Sequence, residues 1–179
     1  MKKAIVWLLC AALLCALAPA VAENATVDVN GSFRISCPVM PGYAMSGNWV
    51  DSNLYTATLT PEDRTRPELL LTIAYSELSN GRTLNDYSEE EIAGLAAASA
   101  ADLPDAQISY DQTGLGTKLI VIRVDSGLDP HVEILTVYRG YELSLFAYIP
   151  DEGAENQPLS DEDLAMINDF LTGMTIEEE

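Results

Sequence analysis

Basic side chains are scarce in this 179-residue chain: nine lysines and arginines stand against 28 acids, with one histidine and a formal charge of −19. Nucleic acid and anionic membrane surfaces both need basic patches, so this balance argues against either as a partner. Cationic partners, divalent cations or plain solubility are what it permits. Cysteine is also rare, and two of the three, Cys10 and Cys15, sit in the first fifteen residues. There is no internal repeat and no low-complexity segment, and the one long apolar run lies at the start.

That run, Ile5 to Leu17, follows Lys2 and Lys3 and is ended by Pro19 and Glu23. Ala20-Val21-Ala22 supplies the small-x-small pattern that precedes cleavage, so residues 1–22 read as a cleavable secretory signal peptide. A membrane span wants ~20 apolar residues, which makes a retained anchor the weaker alternative. A lipoprotein is weaker still, because Leu9 and Leu14, not small residues, precede Cys10 and Cys15. The expected product is secreted or extracytoplasmic, soluble after cleavage and not inserted in the membrane. Removing Lys2 and Lys3 leaves seven basic residues against 28 acids, a charge of −21, with Lys118 the only lysine. Cys37 is then alone, so no intramolecular disulfide forms and the fold rests on its core. The remaining length suits one domain over 23–176, with residues 177–179 an acidic tail.

Alternation marks strands at Ser32–Ser36, Leu54–Thr60 and Glu68–Ser76, the last apolar enough to be central. Between them, Pro38, Pro41, Gly42 and Gly47 point to a long loop over Cys37–Asn53. Ser88 to Glu91 is a capping box opening a helix whose predicted buried face is Ile92, Leu95, Ser99 and Leu103. A short strand at Ala106–Tyr110 and a turn at Gly114–Gly116 follow. Leu119–Val124 has the continuous apolar character of a strand buried on both faces. Val132–Tyr138 and Tyr141–Ile149, joined by Arg139-Gly140, form a tight hairpin. Ser160 to Asp163 caps a last helix with Leu164, Ile167, Phe170 and Leu171 on its apolar face. The order predicts an α+β fold, a mostly antiparallel sheet covered by helices.

Candidate chemistry is thin. Zinc wants several nitrogen or sulfur ligands, and His131 with Cys37 does not supply them. The same two residues are the minimal pair for covalent catalysis, but Cys37 has no helix to lower its pKa and fits a buried core residue better. No G-x-S-x-G run surrounds Ser46, and Gly114-x-Gly116-Thr117-Lys118 lacks phosphate-loop spacing. Carboxylate pairs are too numerous to single out a hydrolase pair. Calcium through Asp151, Glu152 and Glu155, or through Asp161–Asp163, is chemically possible without a D-x-D-x-D-G loop to support it. Asn24-Ala25-Thr26 and Asn30-Gly31-Ser32 fit the N-glycosylation pattern. The binding candidates are Tyr43, Met45 and Trp49 in the 37–53 segment, where an exposed aromatic contact surface and a plug for the sheet end are both open. Beside them stand Arg64 and Arg66.

Phe33-Arg34-Ile35 leads to Pro38 and Pro41-Gly42-Tyr43, a capped helix stands mid-chain, the 132–149 hairpin turns at Gly140, and a terminal helix carries Asp169-Phe170-Leu171. In this layout the chain resembles the PsbP/Mog1-like superfamily, which includes exported bacterial DcrB-like proteins. The resemblance implies an α/β/α sandwich and a non-enzymatic binding or assembly role without a cofactor, and it carries over no functional residue. A non-catalytic extracytoplasmic binding module, for a protein or small ligand, is the expectation. The alternatives are a secreted hydrolase using a carboxylate pair and a calcium-binding acidic protein.

Overall fold

Period-two alternation, not helical spacing, organises most of the chain. The computed structural model describes residues 24–103, 105–112, 116–126, 129–150 and 157–178, so residues 1–22, read above as a signal peptide, and the acids of 151–156 lie outside the described residues. Its strands are β1 (Ala25–Val29), β2 (Phe33–Cys37), β3 (Tyr43–Trp49), β4 (Leu54–Pro61), β5 (Glu68–Tyr75), β6 (Gln107–Gln112), β7 (Lys118–Val124), β8 (His131–Tyr138), β9 (Tyr141–Tyr148) and β10 (Thr175–Glu178). Two helices join them, α1 (Glu89–Ser99) and α2 (Asp161–Gly173). None of the helices among the described residues is long and apolar enough to cross a membrane.

Seven strands form one antiparallel sheet in the order β3-β4-β5-β9-β8-β7-β6. A smaller sheet, β1-β2-β10, brings the first and last described strands together, with Ile35 opposite Val27 on one side and Ile176 on the other. Alternate residues Val27, Val29, Phe33, Ile35 and Cys37 point into one core with Ala57, Leu71, Leu143, Leu145, Ile167 and Phe170. That core lies between the inner face of the large sheet and a cover made of the small sheet and α2. A second, smaller core holds α1, through Ile92 and Ala96, against Ile120, Ile122 and Val137 on the opposite face. The rest of that face is partly open: Leu70 is exposed, and Thr56, Thr58 and Thr72 are half-buried.

The helix-covered α/β/α sandwich is therefore corrected. Helices of 11 and 13 residues cannot blanket seven strands, and a second sheet supplies much of the cover. The 37–53 loop is corrected too, since Tyr43–Trp49 pairs along its whole length with β4. Gly47 marks a close approach there and not a break. A Cβ at that position would collide with the Tyr55 hydroxyl and lie 2.6 Å from the Ala57 Cβ, so only glycine lets the Tyr55 ring lie across the strand. In α1 the buried stripe is Ile92 and Ala96, while Leu95 is 39% exposed. Glu177 and Glu178 continue β10 alongside β2, with Glu177 exposed to solvent there.

Other expectations hold. β5 is internal, between β4 and β9. Arg139 and Gly140, at φ 48° and 91°, make a two-residue hairpin whose left-handed backbone matches the strand twist. Both capping boxes form, with Ser88 Oγ accepting from the Glu91 amide at 3.2 Å and Ser160 Oγ from the Asp163 amide at 3.2 Å.

Candidate functional site

Pro38 directly follows the last residue of β2, and Gly42 takes φ 76°, so the chain turns before β3. The Tyr43 amide donates to the Met40 carbonyl at 3.1 Å and the Glu62 amide to the Gly42 carbonyl at 2.7 Å, tying this turn to the one after β4. Asp63 builds that second turn by accepting from the Thr65 amide at 3.0 Å and the Thr65 hydroxyl at 2.7 Å. These bonds, the amide first, hold its carboxyl below the ordinary carboxylate range.

Residues 162–170 of α2 close the third side. Gly173 at the helix's far end sits where a Cβ would come within 3.0 Å of Pro38 Cγ, so the helix end lies close against the turn. Between these elements opens a cleft of about 600 Å³. Pro38, Met40, Pro41, Met166 and Phe170 give it an apolar floor, and Glu62, Asp63, Glu162 and Asp169 stand round its edge.

Among the described residues Arg66 is the only basic one lining it, and its guanidinium is already engaged. Nη1 donates to Glu162 Oε1 at 3.1 Å, Nη2 to Met166 Sδ at 3.4 Å, and Nε lies 3.4 Å from Asp163 Oδ1. The Nε contact is an ion pair without hydrogen-bond alignment. Asp163, 6% exposed, also accepts from the Ser160 amide at 3.1 Å and the Ser160 hydroxyl at 2.6 Å. Tyr43 donates its hydroxyl to the Pro67 carbonyl at 2.9 Å; burial raises its pKa while Arg66 opposes the rise. With Arg66 balanced by Glu162, the edge keeps an excess of negative charge above an apolar floor.

Of the five candidates read from the sequence, Tyr43 and Arg66 meet here. Met45 and Trp49 share the inner face of β3 with Tyr43 and pack against the core, Trp49 edge-on to Tyr55 at 5.5 Å. Arg64 is exposed in the turn and does not line the cleft. The helical wall went unread: Glu162, Met166 and Asp169, spaced four and three apart, form a second face of α2 beside its core face. A smaller depression of about 210 Å³ lies between α2 and β6–β8, floored by Leu119, Val121 and Leu171.

Cys37 and His131 do not form a pair. Cys37 is fully buried in the main core. His131 lies on the opposite face of the large sheet, with Nδ1 2.6 Å from the Asp129 carbonyl and its ring against Phe146 at 4.6 Å. Burial pushes the Cys37 thiol up to about 11. At about pH 8 Cys37 should therefore react with Ellman's reagent no faster than the protein unfolds, whereas a rate matching a free thiol would show it accessible. The unfolded thiol ionises near its ordinary value of ~8.5 and the folded one does not, so this group's contribution to stability falls as the pH rises from there towards 11. Among the described residues no group of three histidine, cysteine or acidic side chains is placed to hold a metal ion. Of the calcium candidates, Asp163 is taken up by the helix cap, and Asp151, Glu152 and Glu155 lie outside the described residues.

No family model matches the chain, and no curated protein matches it.

Proposed function

We propose that this protein is a non-catalytic binding module working outside the cytoplasm, and that it holds a cationic ligand with an apolar body in the cleft between the 38–43 turn, the 61–66 turn and α2. The observation that carries this is the pairing of an apolar floor with an acidic edge whose one guanidinium is neutralised. Apolar surface supplies affinity on burial, and placed charges supply selectivity. A peptide segment with lysine or arginine beside leucine or phenylalanine has the matching chemistry. The resemblance in sequence to the PsbP/Mog1-like superfamily, whose helix-covered sandwich this fold does not share, favours binding over catalysis. The amino-terminal segment supports work beyond the membrane.

The test uses two short synthetic peptides of equal length, one alternating lysine with leucine and phenylalanine, the other with glutamate replacing lysine. Calorimetry should find saturable binding of the first only, weakening as salt rises. Replacing Glu62, Asp63 and Asp169 together by Gln, Asn and Asn should weaken it about tenfold, a 1.4 kcal/mol loss. Equal binding of both peptides, or no saturation by about 1 mM, would remove the cleft as the binding site.

A further inference from the structure

Strand β6 ends the large sheet, and all six of its residues are exposed. Among the described residues it pairs only with β7, so the outward row of its amides and carbonyls is offered to another chain. Edge strands are ordinarily guarded by lysine, proline or a bulge. Gln107-Ile108-Ser109-Tyr110-Asp111-Gln112 has none of these, and its one charge is Asp111. Ile108, 39% exposed, and Tyr110, 56% exposed, stand on one face of it. The other edges differ. β10 carries Glu177 and Glu178, Asp28 of β1 is paired with Arg34 at 3.7 Å, and β3 turns its large side chains inward around Gly47.

We infer that β6 is a self-association edge, and that its partner is β6 of a second copy, antiparallel about a two-fold axis at Ser109. The sequence specifies the register. An antiparallel pair places same-face residues opposite one another, so the axis falls on a residue and not between two. With Ser109 facing its own copy, Ile108 meets Tyr110 of the second copy and Tyr110 meets Ile108, two aromatic–β-branched pairs of the stabilising kind. On the other face each Asp111 meets a neutral Gln107. Moving the axis to Tyr110 would set Ile108 against Gln112 and Ser109 against Asp111, and would lose both apolar pairs. The contact is isologous, so it closes as a dimer with a continuous fourteen-stranded sheet, twice the seven of one chain.

The dimer is small in area and opposed by two chains each of charge −19, so a dissociation constant in roughly the micromolar range is expected. Salt screens that repulsion and should tighten it, the reverse of its effect on a cationic ligand in the cleft. Sedimentation of the purified protein over a concentration series should show a monomer–dimer equilibrium, strengthened by salt and weakened at least about tenfold by Ile108→Lys or Tyr110→Lys. Both side chains are exposed, so neither variant threatens the fold. Ser109→Cys, in a chain with Cys10 and Cys15 replaced by serine and oxidised mildly, should cross-link to a covalent dimer well above the background of the same chain with Ser109, because Cys37 is buried. A monomer at every concentration overturns the proposal. So does a dimer that survives both lysine variants but is lost in Ser46→Lys on the β3 edge.

Discussion

Phe33→Ala is expected to destabilise the protein by about 3–5 kcal/mol, a large part of the 5–15 kcal/mol that holds a domain of this size together. Phe33 opens β2 and is fully buried. Its ring meets Tyr138 edge-on at 5.1 Å and Tyr141 at 5.5 Å, the two residues flanking the β8–β9 turn. Its backbone pairs with Val29 of β1 and Glu178 of β10. One side chain thus fastens the small sheet to the tightest hairpin of the large one. Truncation loses the transfer energy of the ring and both edge-to-face contacts, and leaves a cavity that two tyrosines tethered to a two-residue turn cannot easily fill. Phe33→Leu keeps most of the volume and should cost less than about 1.5 kcal/mol. Urea unfolding measures both. Equal, small losses would mean that the small sheet docks loosely and is not part of one cooperative unit.

That small sheet is also what local pattern leaves hidden. Alternation in Phe33–Cys37 identifies a strand, yet its partner β10 lies some 140 residues away in a polar Thr-Ile-Glu-Glu stretch, where Met174–Ile176 suggests an edge contact but not with which strand. Pairing partners are a non-local property, and period-two reading does not encode them. Features specified within a few residues are legible: the Ser88 and Ser160 capping boxes and the Arg139-Gly140 hairpin. Gly47 and the prolines before it point to a loop because the reason for a glycine inside a strand, the Tyr55 ring lying across it, is a contact to the next strand. The site divides in the same way. Tyr43 and Arg66 stand out by residue type near turn signals. Met166 and Asp169 gain meaning only when α2 is set against the 38–43 turn, which no spacing within the helix reveals.

The second large effect should come from Asp163. Asp163→Ala is expected to cost about 2–4 kcal/mol, through two losses that fall on one carboxylate. The first is the capping box: the Ser160 amide and hydroxyl both donate to Asp163 Oδ2, and without it the box keeps only its reciprocal half, the bond that the Asp163 amide makes to Ser160 Oγ. The second is electrostatic. Asp163 sits beside Arg66 at 3.4 Å and at the positive end of the helix dipole, and its own side chain is 8% exposed. Arg66 is 33% exposed, so solvent screens part of that attraction and the cap carries the larger share. Asp163→Asn separates the two. It keeps the size and one acceptor oxygen, so it should recover about half of the loss, and what remains measures the charge. The cleft supplies an independent readout. Freed from Asp163, Arg66 keeps Glu162 as its one strong partner at the acidic edge, and a cationic peptide should bind more weakly even at temperatures where the variant is fully folded. If Asp163→Ala melts as the native protein does, the cap is not what holds α2 in register. If it melts early but binds the lysine peptide unchanged, α2 and the cleft are energetically separate.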